Sequence, residues 1–148
     1  MIRIGVIGLG WWGKQIVTCL AESPRFKVVA GCDVDHNMAA PFARQHGFDL
    51  VTDYKDLVSR GDLDAIAVVT PHLLHEEMAI AALAAGKQVF CEKPLALSTA
   101  SAERILAASA KQGGVLGIGH ERRYEPALEE VRLLLESGAL GRVLHMDA

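Results

Sequence analysis

Cysteine is scarce in this chain of 148 residues: Cys19, Cys32 and Cys91 are odd in number, widely spaced and free of any Cys-x-x-Cys pair. That pattern excludes a disulfide framework and the common zinc spacings, and three buried or inert thiols in a reducing compartment are expected. An excess of charge of one sign is also missing. Fifteen Lys and Arg against eighteen Asp and Glu leave a net charge of −3, so no basic field exists to hold nucleic acid or an anionic membrane. The longest glycine-free apolar run covers residues 78–85, far short of the ~20 residues that span a bilayer. Residues 1–4 enter a strand-like pattern at once, so no signal peptide is visible and a cytoplasmic location is expected. Internal repeats, low-complexity tracts and flexible linkers are lacking too.

What remains is a folding composition of one-domain size, with 51% hydrophobic and 22% charged residues. Strand-like and helix-like segments alternate. Apolar runs at residues 3–8, 26–33, 65–69, 88–91 and 115–120 read as strands, with a weaker one at 49–52. Helical patterns lie at 12–22, 37–46, 53–59, 74–85, 98–112 and 126–136. Asp35 or Asn37 and Ser98 or Thr99 are candidate N-caps, and Gly47, Gly86, Gly113 and Gly138 stand just past helix ends. Continuous apolar strands belong in a sheet covered on both faces. The expected fold is therefore α/β, a doubly wound parallel sheet. The alternation is interrupted at 121–126, which divides the chain into residues 1–121 and residues 122–148, the latter a helix followed by a strand-like segment at 142–147.

Gly8-Leu9-Gly10-Trp11-Trp12-Gly13 is a G-x-G-x-x-G between the first strand and the first helix. In that setting Gly8 permits the tight turn, Gly10 lets a pyrophosphate approach the backbone, and Gly13 lets helix and strand lie close. The unpaired N–H groups of the helix then face the phosphates. Asp33 ends the second strand, 20 residues after Gly13. A carboxylate there accepts hydrogen bonds from both ribose hydroxyls of NAD and repels a 2′-phosphate, and no Arg follows in Val34-Asp35-His36-Asn37. NAD is expected over NADP. Trp11 and Trp12 fill the variable positions, where they either shield the cofactor or pack as core or interface.

Glu92-Lys93-Pro94 follows the strand at 88–91, at the strand end where ligands bind in such sheets. A lysine there suits nicotinamide chemistry, holding a substrate hydroxyl and moving its proton beside a positive ring. Glu92 sets its position or charge, and Pro94 fixes the turn. His72 and His75 stand at i, i+3, but no third ligand follows at a sensible spacing, so no metal is expected.

With Val29-Ala30-Gly31-Cys32-Asp33, Val69-Thr70-Pro71-His72-Leu73-Leu74-His75, Ala85-Gly86-Lys87-Gln88-Val89-Phe90-Cys91-Glu92-Lys93-Pro94-Leu95-Ala96, Arg122-Arg123-Tyr124-Glu125-Pro126 and Gly138-Ala139-Leu140-Gly141-Arg142-Val143, these motifs cover the whole chain. It resembles the N-terminal portion of the glucose–fructose oxidoreductase/inositol dehydrogenase/MocA family of NAD(P)-dependent oxidoreductases. The resemblance implies a Rossmann dinucleotide-binding domain and hydride transfer between nicotinamide and a secondary alcohol of a polyol or sugar. It implies that Lys93 is catalytic, often with a cis Lys93–Pro94 bond, and that Glu92 approaches the nicotinamide ribose. Thr70 and Pro71 would line the cofactor crevice, His75 would contact the same loop, and Arg122 and Tyr124 would lie near cofactor or substrate. Many relatives carry Asn at the position of His72.

The family continues into a second, mostly β domain with an Asp-x-x-x-His pair, and no such pair follows Arg123 here. The substrate domain is thus expected to be absent or truncated, the chain inactive alone, and an exposed apolar surface to favour a homo-oligomer. A free-standing NAD-binding or sensing module, or an assembly subunit without catalysis, is the alternative. A methyltransferase reading of the glycine turn leaves Glu92-Lys93-Pro94 without a role.

Overall fold

Successive side chains of the first strand enter two different cores. In β1 (Ile2–Ile7), Ile4 and Val6 join one apolar cluster and Ile7 the other, as a sheet covered on both sides requires. The computed structural model describes residues 1–145. After β1 come α1 (Trp11–Ala21), β2 (Phe26–Cys32), α2 (His36–His46), β3 (Asp49–Val51), α3 (Tyr54–Ser59) and β4 (Ala65–Val68). A 3-10 turn (His72–Leu74), α4 (His75–Ala84), β5 (Gln88–Glu92), α5 (Thr99–Gln112) and β6 (Leu116–Gly119) follow, then a second 3-10 turn (Glu121–Tyr124) and α6 (Pro126–Glu136).

The strands form one parallel sheet in the order β3-β2-β1-β4-β5-β6. The order reverses between β1 and β4, which opens a crevice beyond their carboxyl ends. The expected α/β doubly wound sheet is what forms. Helix ends follow local chemistry: the Asp35 carboxylate accepts the Met38 N–H, the Ser98 hydroxyl accepts the Ser101 N–H, and Gly47 and Gly113 take the left-handed conformation.

One face packs α1 and α2, through Val17, Ala39 and Ala43, against Ile4, Val6 and Ala67. The other packs α3, α4 and α5, through Leu57, Leu83 and Ile105, against Ile7, Ile66, Val68 and Cys91. Coverage is not complete on both faces, as the apolar strands had led one to expect. Beyond β4 the α1 side is bare: Phe90 and Ile118 are each 36% exposed, and an apolar hollow of about 430 Å³ runs past Leu20 and Val115. The reason is topological, since α4 and α5 both lie on the opposite face.

No residue of α6 is buried. Residues 142–145 form no strand, and the remainder of the strand expected at 142–147 lies outside the described residues. Among the described residues no helix is long and apolar enough to cross a membrane, and no cluster of metal-ligating side chains occurs.

Of the three thiols expected to be buried or inert, Cys32 and Cys91 are buried and Cys19 is exposed. The helical period that turns Gly13 and Val17 inward on α1 turns Cys19 outward. Burial, with the charge of Asp33, pushes the Cys32 thiol up to about 11. Burial, with the charge of Glu92, pushes Cys91 up to about 12. A disulfide thiol reagent at about pH 8 should therefore titrate one thiol in the native chain and all three after unfolding. Fast reaction of more than one native thiol would contradict this burial.

Candidate functional site

The turn from β1 into α1 is built by three glycines with different constraints. Gly8 has φ +93, and a Cβ on it would lie 2.5 Å from the Val69 carbonyl oxygen. A Cβ on Gly13 would lie 1.9 Å from the Gly8 carbonyl oxygen. Gly10 is the opposite case: a Cβ there would meet nothing within 4 Å. The side chain is missing at Gly10 although the fold itself leaves room for one.

Gly10 caps α1, and the Lys14 N–H makes the first helical bond, to the Gly10 carbonyl, at 3.0 Å. The N–H groups of Trp11, Trp12 and Gly13 precede it and have no helical acceptor. No acidic side chain occupies the first turn. This end of the helix is therefore open to an anion.

Asp33 braces the loop from the end of β2. Its Oδ2 accepts the Leu9 N–H at 2.7 Å, and its Oδ1 accepts the Asp35 N–H at 2.9 Å. Each oxygen keeps a further acceptor site. The Gly8 N–H donates to the Cys32 carbonyl at 2.8 Å.

Two cavities meet at Val69 and Thr70. The larger, about 590 Å³, is lined by Gly8, Gly10, Asp33, Thr70, Pro71 and Tyr54, among others. The smaller, about 380 Å³, is lined by Trp11, Trp12, His72, Glu92, Lys93 and Glu121, beside Val69 and Thr70. Most residues singled out in the sequence thus come together around the crevice. Gly13 sits behind the loop. Arg122 lines neither cavity; it is exposed on the second 3-10 turn, and its neighbour Glu121 is the lining residue. Tyr124 is exposed as well.

His75 is fully buried and lines neither cavity. Its Nδ1 lies 2.9 Å from the Pro94 carbonyl oxygen and its Nε2 lies 2.9 Å from the Thr70 carbonyl oxygen. Which ring nitrogen donates depends on the tautomer. The ring ties the loop after β4 to the loop after β5, where the Lys93–Pro94 bond is cis.

Glu92 is buried, its Oε2 accepting the Lys93 N–H at 3.1 Å. A Cβ on Gly119 would come within 2.5 Å of the Glu92 Oε1. Only glycine at 119 leaves the carboxylate its place, a role sequence reasoning missed although a glycine inside a strand signals close approach. The structure also adds Glu121 and Tyr54 to the walls, and nothing local in the sequence marks either. The Tyr54 hydroxyl donates to Glu77 Oε1 at 2.5 Å, and that bond, with burial and the Glu77 charge, pushes its pKa up to about 12.

The model of a protein family described as "Oxidoreductase family, NAD-binding Rossmann fold" matches residues 2–120. The chain belongs to that family. Among curated relatives it is 34% identical over 141 residues to the uncharacterized oxidoreductase YrbE of Bacillus subtilis, covering 95% of this chain and 41% of that protein. It is 31% identical over 147 residues to the inositol 2-dehydrogenase of Salmonella typhimurium, covering 97% of this chain and 44% of that one. A crystal structure of scyllo-inositol dehydrogenase from Lactobacillus casei, with bound NAD(H) and scyllo-inositol, superposes with a TM-score of 0.89 at 30% identity, over 95% of this chain and 42% of that one. The chain spans less than half the length of these relatives.

The glycine contacts predict a contrast in stability. Gly13→Ala should cost about 2–4 kcal/mol, because the Gly8 carbonyl is backbone and has to shift. Gly10→Ala should cost less than about 1 kcal/mol. Chemical denaturation of the two variants checks the pair, and equal losses would refute it.

Proposed function

We propose that these 148 residues are the dinucleotide-binding part of an NAD-dependent dehydrogenase acting on a secondary alcohol of a polyol or sugar. The observation that carries this reading is the open space over Gly10 at the unclaimed N–H groups of α1, with the Asp33 carboxylate beside it. These residues fit a pyrophosphate and a ribose. Gly8, Gly10 and Gly13, with the backbone of Trp11 and Trp12, form the phosphate turn. Asp33 takes the ribose hydroxyls, and NAD is preferred to NADP because that carboxylate repels a 2′-phosphate. Thr70 and Pro71 form the wall and His75 holds their loop; Arg122 is the further cofactor contact proposed, although it stands on the second 3-10 turn outside both cavities.

A bound nicotinamide ring supplies the hydride acceptor. Oxidation of the alcohol also frees a hydroxyl proton, and Lys93 is the catalytic residue that holds that oxygen and moves the proton. Buried Glu92 fixes the lysine's backbone through the 3.1 Å bond to its N–H. Residues after about 121 begin the connection to the substrate-binding part, and turnover needs groups beyond Lys93. The active form is a homo-oligomer in the cytoplasm, where free thiols stay reduced.

Isothermal titration of this chain should show NAD binding with NADP weaker, and binding of neither dinucleotide would overturn the reading. Asp33→Ala should weaken NAD by about 1–3 kcal/mol, and Gly10→Ala should weaken it by more than tenfold, to about the same cost, while the chain stays folded. Lys93→Met should change NAD affinity by less than about tenfold. In a chain carrying the remaining residues it should abolish turnover, and retained turnover would remove Lys93 from the chemistry.

A further inference from the structure

Two apolar surfaces of this chain carry no cover. One is the α1 side of the sheet beyond β1, with its hollow of about 430 Å³. The floor is low, because β4 and β6 place Ala65, Ala67 and Gly117 there, and it lies between Leu20 of α1 and Phe90 of β5. Val115 stands 69% exposed within it. Gln88 is the one polar side chain among the described residues that line it, and the Gln88 carboxamide oxygen already accepts the Val115 N–H. The hollow therefore suits apolar side chains, and no charged group stands ready there for a small ligand.

The other surface is α6. Its 11 residues include none that is buried, and its packing is against the 3-10 turn before it. Leu128, Val131, Leu134 and Leu135 recur at steps of three and four residues and share one side of the helix. The first three are exposed. The other side carries Glu129 and the pair of Arg132 and Glu136, 2.8 Å apart. Helices shorter than about 12–15 residues are marginal in water unless an amphipathic face is packed. Alpha-helix 6 has such a face and nothing on it, so its own stability calls for a surface to lie on.

The two surfaces match in size. A helix of 11 residues is about 16 Å long, and β4 and β5, of 4 and 5 residues, run for about 13–16 Å. They are also present in equal number, one of each in every chain. No residue of α6 lines the hollow of its own chain. Exchange between two copies covers all four surfaces at once, and a two-fold pair leaves no open end to propagate. We propose that the hollow beside α1 is the docking site for α6 of a second copy, two chains exchanging helices as a two-fold dimer with Leu128, Val131 and Leu134 seated in the hollow. This names the interface of the homo-oligomer, and it does not depend on the dinucleotide reading. The hollow shares no lining residue with either cavity of the crevice, which the dimer leaves open.

The test is the mass of the 148-residue chain in solution, read by light scattering on a sizing column. The mass of two chains is expected at about 50 µM, falling to that of one chain on dilution. Val131→Glu with Leu134→Glu changes the helix, and Val115→Lys changes the hollow; all three side chains are exposed in the single chain. Each variant should weaken the dimer by more than about tenfold while far-UV circular dichroism stays native. Where a variant loses that signal, Leu128→Glu or Phe90→Lys takes its place. Mixing the helix variant with the hollow variant should restore a dimer, because the intact helix of one chain then meets the intact hollow of the other. A one-chain mass up to about 200 µM overturns the proposal, whether α6 is then bare or folded onto its own sheet. A dimer broken by the helix variant alone makes α6 pair with itself, and one broken by the hollow variants alone makes sheet meet sheet; either overturns it. So does a mixture that stays monomeric.

Discussion

Between the Gly8 carbonyl oxygen and the Cα of Gly13 there is no room for a single side-chain carbon. That close approach sets the angle at which α1 leaves β1, and hence where its free N–H groups point. They point over the crevice at which the strand order reverses. The loop is held from the neighbouring strand as well, by the Asp33 carboxylate on the Leu9 N–H. The acid that reads the ribose in the proposed complex is thus also a brace for the phosphate turn.

The crevice divides its chemistry between two cavities that share Val69 and Thr70. One side offers glycine backbone and a carboxylate, fitted to an anion and a sugar. The other offers a lysine, two carboxylates, an imidazole and paired indoles. Lys93 stands exposed at the second, while Glu92 behind it is buried against Gly119.

Much of this was legible from local pattern. The six strands, the order of helices and several caps follow from periodicity and from Asp, Ser and Gly at element ends, because those preferences act over a few residues. The spacing from Gly13 singled out Asp33 as a ribose acceptor, and its bond to the Leu9 N–H was not part of that reading. What local pattern could not carry was partnership across the chain. Nothing near His75 in sequence says that its two nitrogens face Thr70 and Pro94. Phe90 and Ile118 are as apolar as their covered neighbours, so the bare half-face was invisible. The exposure of Cys19 follows from the helical period of α1, which turns Gly13 and Val17 inward.

Thr70 borders both cavities, and its carbonyl shares one imidazole with the turn that presents Lys93. Neither loop is able to slide alone without stretching a contact of the common ring. The two halves of the crevice therefore behave as one mechanical part, in which a push on the wall of the larger cavity is felt by the backbone behind the lysine.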